Sequence, residues 1–76
     1  MLDWTQYIER DPLVMTGKPV FKGTRITVEY VLERLAQGTT AGDLLANYEG
    51  LRAEHISAAL ALAAAMLRND QLVATA

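Results

Sequence analysis

The segment Thr16–Thr27 constrains the fold most, because it cannot be helical. It contains three residues that interrupt helices, namely Gly17, Pro19 and Gly23. Within it, Val20-Phe21 and Arg25-Ile26 lie on either side of a Lys22-Gly23-Thr24 corner. This arrangement predicts two short strands joined by a tight turn.

The residues before this segment allow two interpretations. Asp3 can cap a short helical turn, with Gln6 three residues further on, as in a capping box. Tyr7–Arg10 could instead be extended. Asp11-Pro12 marks a turn, because proline moves the residue before it out of the helical region.

Two helices are predicted directly after this segment. Thr27 is a suitable N-cap for the first helix, and Gly38 ends it. The apolar residues of this helix recur along one face: Val28, Val31, Leu32, Leu35 and Ala36. The second helix is capped by Thr40, has Asp43 in its first turn and stops at Glu49-Gly50.

The third helix is predicted over about Ala53–Arg68 and is apolar on two sides. One stripe consists of Ile56, Ala59, Leu60, Ala63 and Leu67, and the other of Ala58, Leu62, Ala65 and Met66. A helix with two apolar sides is buried on both, and so small a domain covers only one of them with its own core. We assign the second stripe to an interface with another polypeptide, although the sequence leaves open which stripe faces outwards.

Together these elements predict a mainly α fold in a single domain over residues 1–76. It is a three-helix, helix-turn-helix-like bundle preceded by a short β-hairpin or an extended N-terminal segment. A domain of this size buries only about 60% of its unfolded-chain surface and usually needs further support. With no cysteine and one histidine, a disulfide is excluded and zinc is disfavoured, so we expect a homodimer.

The expected location is the cytoplasm. The N-terminus lacks the basic and apolar regions of a secretory signal. The longest apolar run, Ala58–Leu67, is about half the length that a membrane span needs, so no membrane association is expected.

The positive charges are concentrated in one place. The net charge is −2, yet residues 17–27 carry Lys18, Lys22 and Arg25 and no acidic residue. A nucleic acid or an acidic protein surface is therefore expected to bind there. The alternative, given equal weight, is that these cations pair with acidic neighbours, for which the candidates are Glu9, Asp11 and Glu29.

A DNA contact could also involve the start of the third helix. Arg52 lies there and is added to the candidate DNA-binding residues. Glu54 follows it and would approach phosphates unfavourably, so base-specific recognition by this helix is not expected.

Little in the sequence supports catalysis. His55 is the only histidine, there is no cysteine nucleophile, and no serine has an evident histidine and aspartate partner set. The nine acidic residues show no spacing that commits two of them to one site. We therefore expect a binding module rather than an enzyme, without metal or cofactor.

The run Gly17–Ile26, GKPVFKGTRI, followed by Val28, resembles the hallmark of the family called domain of unknown function 433. The pattern downstream is also similar: an apolar helix, Gly38, a short capped helix ending in Tyr48, then Gly50-Leu51 and a further apolar helix. The resemblance covers roughly residues 8–67. Arg52 stands where the family usually has a serine or threonine cap, so the third helix could start less cleanly.

This resemblance implies a helix-turn-helix-like fold and an antitoxin. Such a protein binds and silences a PIN-like ribonuclease toxin, and the antitoxin dimer or the complex binds operator DNA to repress its own operon. Two alternatives remain open: a stand-alone DNA-binding regulator, and a dimerisation module that binds no nucleic acid.

Overall fold

The structure is a computed structural model and describes residues 2–69. Two short strands, β1 (Ile8–Glu9) and β2 (Val20–Phe21), precede three helices, α1 (Val28–Ala36), α2 (Ala41–Asn47) and α3 (Ala53–Asn69). Short 3-10 turns at Trp4–Gln6 and Met15–Gly17 precede the two strands. The predicted mainly α fold with an N-terminal strand pair is confirmed.

The N-terminal part contains both of the features that the sequence allowed. Asp3 caps the turn at Trp4–Gln6, where its Oδ1 accepts hydrogen bonds from the Thr5 backbone N–H at 3.1 Å and the Thr5 hydroxyl at 2.6 Å. The chain then extends into β1. The expected turn after Asp11 is also present, since the Val14 N–H donates to the Asp11 carbonyl at 2.9 Å.

The predicted pairing of Val20-Phe21 with Arg25-Ile26 is present only in part: the Phe21 N–H donates to the Ile26 carbonyl at 3.1 Å, but Arg25-Ile26 does not form a strand. The strand partner of β2 is β1, in antiparallel register, with Ile8 opposite Phe21. The turn itself is present, because the Thr24 N–H donates to the Phe21 carbonyl at 3.0 Å. The Thr24 hydroxyl also accepts from the Ile26 N–H at 3.1 Å, so this backbone group is unavailable to a strand partner. An isolated antiparallel bridge also joins Val20 to Thr27, beside a hydrogen bond of 3.0 Å from the Val28 N–H to the Pro19 carbonyl.

The predicted starts of α1 and α2 are confirmed by their caps. The Thr27 hydroxyl accepts from the Tyr30 N–H at 3.0 Å, and the Thr40 hydroxyl accepts from the Asp43 N–H at 3.1 Å. Gly38, with φ of 98°, lets the chain leave α1 in the left-handed conformation that helix ends favour.

His55 provides the side-chain hydrogen bond at the start of α3, where the sequence has no N-cap hydroxyl. The Arg52 backbone N–H donates to the His55 Nδ1 at 2.9 Å, and the His55 N–H donates to the Arg52 carbonyl at 2.9 Å. The His55 side chain thus makes one half of a capping box, with an imidazole in the place of a glutamate or glutamine, while a backbone carbonyl replaces the hydroxyl of the other half. The helix therefore begins cleanly at Ala53 despite Arg52.

The core lies where α1, α2 and α3 meet the strand pair. Its largest fully buried side chains are Phe21, Leu44, Val20 and Val31. His55 is only 5% exposed, and its ring packs against Phe21 and Tyr7 with centroid distances of 5.2 and 5.9 Å. The cap of α3 is thus part of the core.

The buried face of α3 contains residues from both predicted stripes. Ile56 and Ala59 come from the first stripe, whereas Ala58 comes from the second, and all three are buried. Leu60 and Leu67, expected in the same stripe as Ile56, are 53% and 58% exposed. The rich alanine content gives both stripes similar hydropathy, so periodicity alone could not determine the rotation of the helix.

Candidate partner-binding groove

An apolar groove of about 730 Å³ lies between the N-terminal strand, α1 and the C-terminal half of α3. The apolar residues lining it include Ile8, Val28, Leu32, Leu62, Ala63 and Met66. Trp4, from the N-terminal turn, also lines it. The groove is therefore built by three separate parts of the chain.

Helical spacing produces the two long walls of the groove. On α1, Val28 and Leu32 are one turn apart, and on α3, Leu62 and Met66 are one turn apart, so each pair lies on one face of its helix. Val28 is buried, Leu32 and Leu62 are half-buried, and Met66 is 52% exposed. The groove therefore opens towards solvent near the end of α3, where no other described element covers this face.

The rim of the groove carries charged side chains. These are Glu9, Arg10, Glu29 and Glu33. The Lys18 Nζ lies 3.2 Å from the Glu29 Oε1, with both side chains more than half exposed. This hydrogen bond, and then the charge of Lys18, hold the pKa of Glu29 below its ordinary value.

The four residues that we assigned to a partner interface lie in different environments. Leu62 and Met66 line the groove. Ala58 is 0% exposed in the core of its own chain, so a partner cannot contact its side chain in this conformation. Ala65 is half-buried and does not line the groove. Ala63, which does line it, came from the other predicted stripe.

A second apolar surface lies on the outward side of α3. It is formed by the exposed Leu60 and Leu67, which are seven residues, or about two turns, apart on the same face. The sequence placed these two leucines in the same stripe as Ile56 and left open which stripe faces outwards. Their exposure gives α3 an outward apolar stripe in addition to the groove.

The four candidate DNA-binding residues lie beside different elements. Lys18 pairs with Glu29 on α1, as the structural alternative expected. Lys22 lies near the N-terminal turn, where the pKa of Asp3 is lowered mainly by hydrogen bonds from Thr5 and to a smaller degree by the charge of Lys22. Lys18 and Lys22 therefore have different acidic neighbours.

Arg25 lines a shallower depression of about 270 Å³, together with Tyr30 and Tyr48. The two tyrosine hydroxyls are hydrogen-bonded to each other, and the rings meet edge to face with centroids 5.7 Å apart. This bond is the largest cause of the raised pKa of Tyr48. Met15, in the left-handed region with φ of 49°, also lines the depression. Sequence reasoning did not identify this cluster.

Arg52 is exposed at the start of α3, and its neighbour His55 has a structural role. Burial is the main cause that lowers the pKa of His55, and the charge of Arg52 adds to it. Because Nδ1 accepts the Arg52 N–H, the neutral ring carries its proton on Nε2. The imidazole is therefore a neutral cap at neutral pH.

Comparison with known proteins identifies a family. The family model described as "Protein of unknown function (DUF433)" matches residues 8–63. No curated protein and no solved structure matches the chain. The matched range includes both strands, α1, α2 and the first part of α3.

Proposed function

Because the chain belongs to the family described as protein of unknown function (DUF433), we propose that it is a protein-binding module of the antitoxin type. In this proposal it binds a PIN-like ribonuclease and silences it, with part of the enzyme seated in the apolar groove. The antitoxin role comes from the resemblance of the GKPVFKGTRI segment, and the place of binding comes from the groove.

The observation that carries the proposal is the exposed apolar lining of the groove. A concave surface of about 730 Å³ that is lined mainly by apolar side chains has the size and composition typical of binding sites. Met66 is 52% exposed, and the half-buried Leu32 and Leu62 lie beside it. When a protein partner covers these side chains, their apolar surface is removed from water and the complex is stabilised.

The direct test is co-expression with the reading frame adjacent to this gene. We expect that frame to encode a ribonuclease that co-purifies with this protein and whose RNA cleavage is inhibited in the complex. The proposal of an antitoxin fails if the adjacent product is not a nuclease, or if a nuclease is present but forms no complex.

Self-association through α3 is the second part of the proposal. The outward leucines Leu60 and Leu67 support it, because they lie apart from the core and offer an apolar stripe to a second copy. Leu62 is unsuitable for testing it, since this side chain packs against the core of its own chain. Leu60→Glu is the better variant, because it places the charge on an exposed position.

A stand-alone DNA-binding regulator is the second candidate function. It is favoured by one observation: among residues 2–69 the cations Lys22, Arg25 and Arg52 have no carboxylate within ion-pair distance. Their replacement by alanine, together with Lys18, should weaken operator binding and reduce its salt dependence by about one unit of slope for each phosphate-binding cation that is removed. Unchanged binding by the fourfold variant would exclude this assignment.

A further inference from the structure

The acidic part of the groove rim suggests the charge of what binds there. Glu29 and Glu33 are one turn apart on α1, and Glu9 extends from β1 beside them. Lys18 pairs with Glu29, and among residues 2–69 this is the only ion pair. Glu9 and Glu33 are therefore exposed carboxylates without a cation partner in the described part of the chain, and Arg10 is the one cation that lines the groove.

Like charges one turn apart on a helix repel each other. Lys18 reduces this repulsion at Glu29 by its hydrogen bond of 3.2 Å but does not pair with Glu33. A cation supplied from outside and placed above Glu33 would reduce the remaining repulsion. The rim thus favours a positively charged neighbour.

The walls of the groove suggest the shape of the occupant. They are helix faces with side chains at one-turn spacing, Val28 and Leu32 on one wall and Leu62 and Met66 on the other. The groove is bounded mainly by these side chains and not by a long strand edge, since β1 is only two residues long. Such a groove fits the apolar face of a helix, which inserts side chains spaced by three or four residues.

We propose that the groove binds an amphipathic helix of a partner protein whose apolar stripe is flanked by lysine or arginine. The apolar side chains enter between α1 and α3, and the flanking cations meet Glu9 and Glu33 at the rim. This inference rests on the proposed protein-binding function and specifies the chemistry of the partner segment.

Two synthetic helical peptides test the proposal. They share one apolar stripe, and the flanking positions are lysine in one and glutamate in the other. Trp4 is the only tryptophan of the chain and lines the groove, so its fluorescence reports binding directly. We expect saturable binding of the lysine peptide, at least about tenfold tighter than the glutamate peptide at low salt, with a preference that decreases as salt is added.

A charge reversal on the rim provides the matched control. Glu33→Lys should abolish or reverse the preference for the lysine peptide, whereas Glu49→Lys, at an exposed site outside the groove, should preserve it. Circular dichroism of both variants checks that the helices are intact. Equal affinity for the two peptides, or an equal effect of the two reversals, would overturn the proposal.

Two further outcomes separate this inference from the proposed function. If the Trp4 emission maximum of the Leu60→Glu variant alone shifts on dilution, a second copy occupies the groove and the inference is wrong. If the adjacent nuclease forms a complex but neither peptide changes Trp4 emission, the antitoxin function stands and the chemistry proposed for the bound segment is wrong. If the lysine peptide binds but no nuclease complex forms, the chemistry proposed for the bound segment stands and the antitoxin function is wrong.

Discussion

Replacing His55 by alanine should lower the free energy of unfolding by about 2 to 4 kcal/mol. Loss of a helix cap costs about 0.5 to 2 kcal/mol, and removal of a buried ring adds the loss of its packing. The ring is 5% exposed and contacts Phe21 and Tyr7, so both contributions apply. For a domain whose total stability is about 4 to 11 kcal/mol, this is a large fraction.

Urea unfolding followed by circular dichroism measures this loss, and His55→Gln separates its two causes. The glutamine side-chain oxygen can accept the Arg52 N–H as in an ordinary capping box, but it does not replace the aromatic contacts. We expect His55→Gln to be more stable than His55→Ala by about 0.5 to 2 kcal/mol. Equal stability of the two variants would refute the assignment of the imidazole as a cap.

The pH dependence of stability gives a second test of the same residue. Burial lowers the pKa of His55 in the folded protein below its ordinary value of 6.5, so the unfolded chain binds the proton more readily. The stability from this group is therefore fully present above pH 6.5 and is lost as the pH falls through that value towards the folded-state pKa. The slope is at most about 1.4 kcal/mol per pH unit. His55→Gln should flatten the curve there, and an unchanged slope would contradict this account.

Five other substitutions test the fold and the α3 surface. Gly42→Ala should stabilise the protein by about 0.4 to 1 kcal/mol, because its new Cβ would be 3.9 Å from the nearest atom in a helix, whereas Gly38→Ala should destabilise it because φ is 98°. A double-mutant cycle of Tyr30→Phe and Tyr48→Phe in urea unfolding should give a favourable coupling energy from their hydroxyl bond. Leu60→Glu should convert a dimer to monomers in sedimentation velocity, and a dimer that persists would place self-association elsewhere.

The sequence predicted those features that depend on neighbouring residues. Thr27 and Thr40 identified the starts of α1 and α2, because an N-cap hydroxyl binds an N–H only three residues away. Gly38 identified the end of α1, because the left-handed conformation at a helix end depends on the residue type at that one position. The pairing of β2 with β1 was missed, since its register joins Ile8 to Phe21 across thirteen positions and no local pattern specifies it.

The candidate site was predicted less well, because it depends on how the elements pack. Leu62 and Met66 were assigned to a partner interface and line the groove, but Ala58, assigned to the same interface, is buried in the core. Small alanine side chains do not reveal which face a helix buries. The contributions of Trp4 and Leu32 required the position of the N-terminal turn and α1 against α3, which only the tertiary structure provides.

The central claim is that the groove is the partner-binding site, and two methionines of similar exposure test it. Met66 lines the groove and is 52% exposed, whereas Met15 lies outside it and is 47% exposed. Burial of the exposed half of the Met66 side chain by a partner stabilises the complex by about 1 to 1.5 kcal/mol. A glutamate at this position would lose that contribution and add the cost of burying an unpaired carboxylate.

The decisive measurement is the dissociation constant of the complex with the adjacent nuclease for Met66→Glu and Met15→Glu. We predict that Met66→Glu weakens the complex about 30-fold or more, which corresponds to about 2 kcal/mol, while Met15→Glu leaves it nearly unchanged. Equal affinities, or a larger loss from Met15→Glu, would contradict the account.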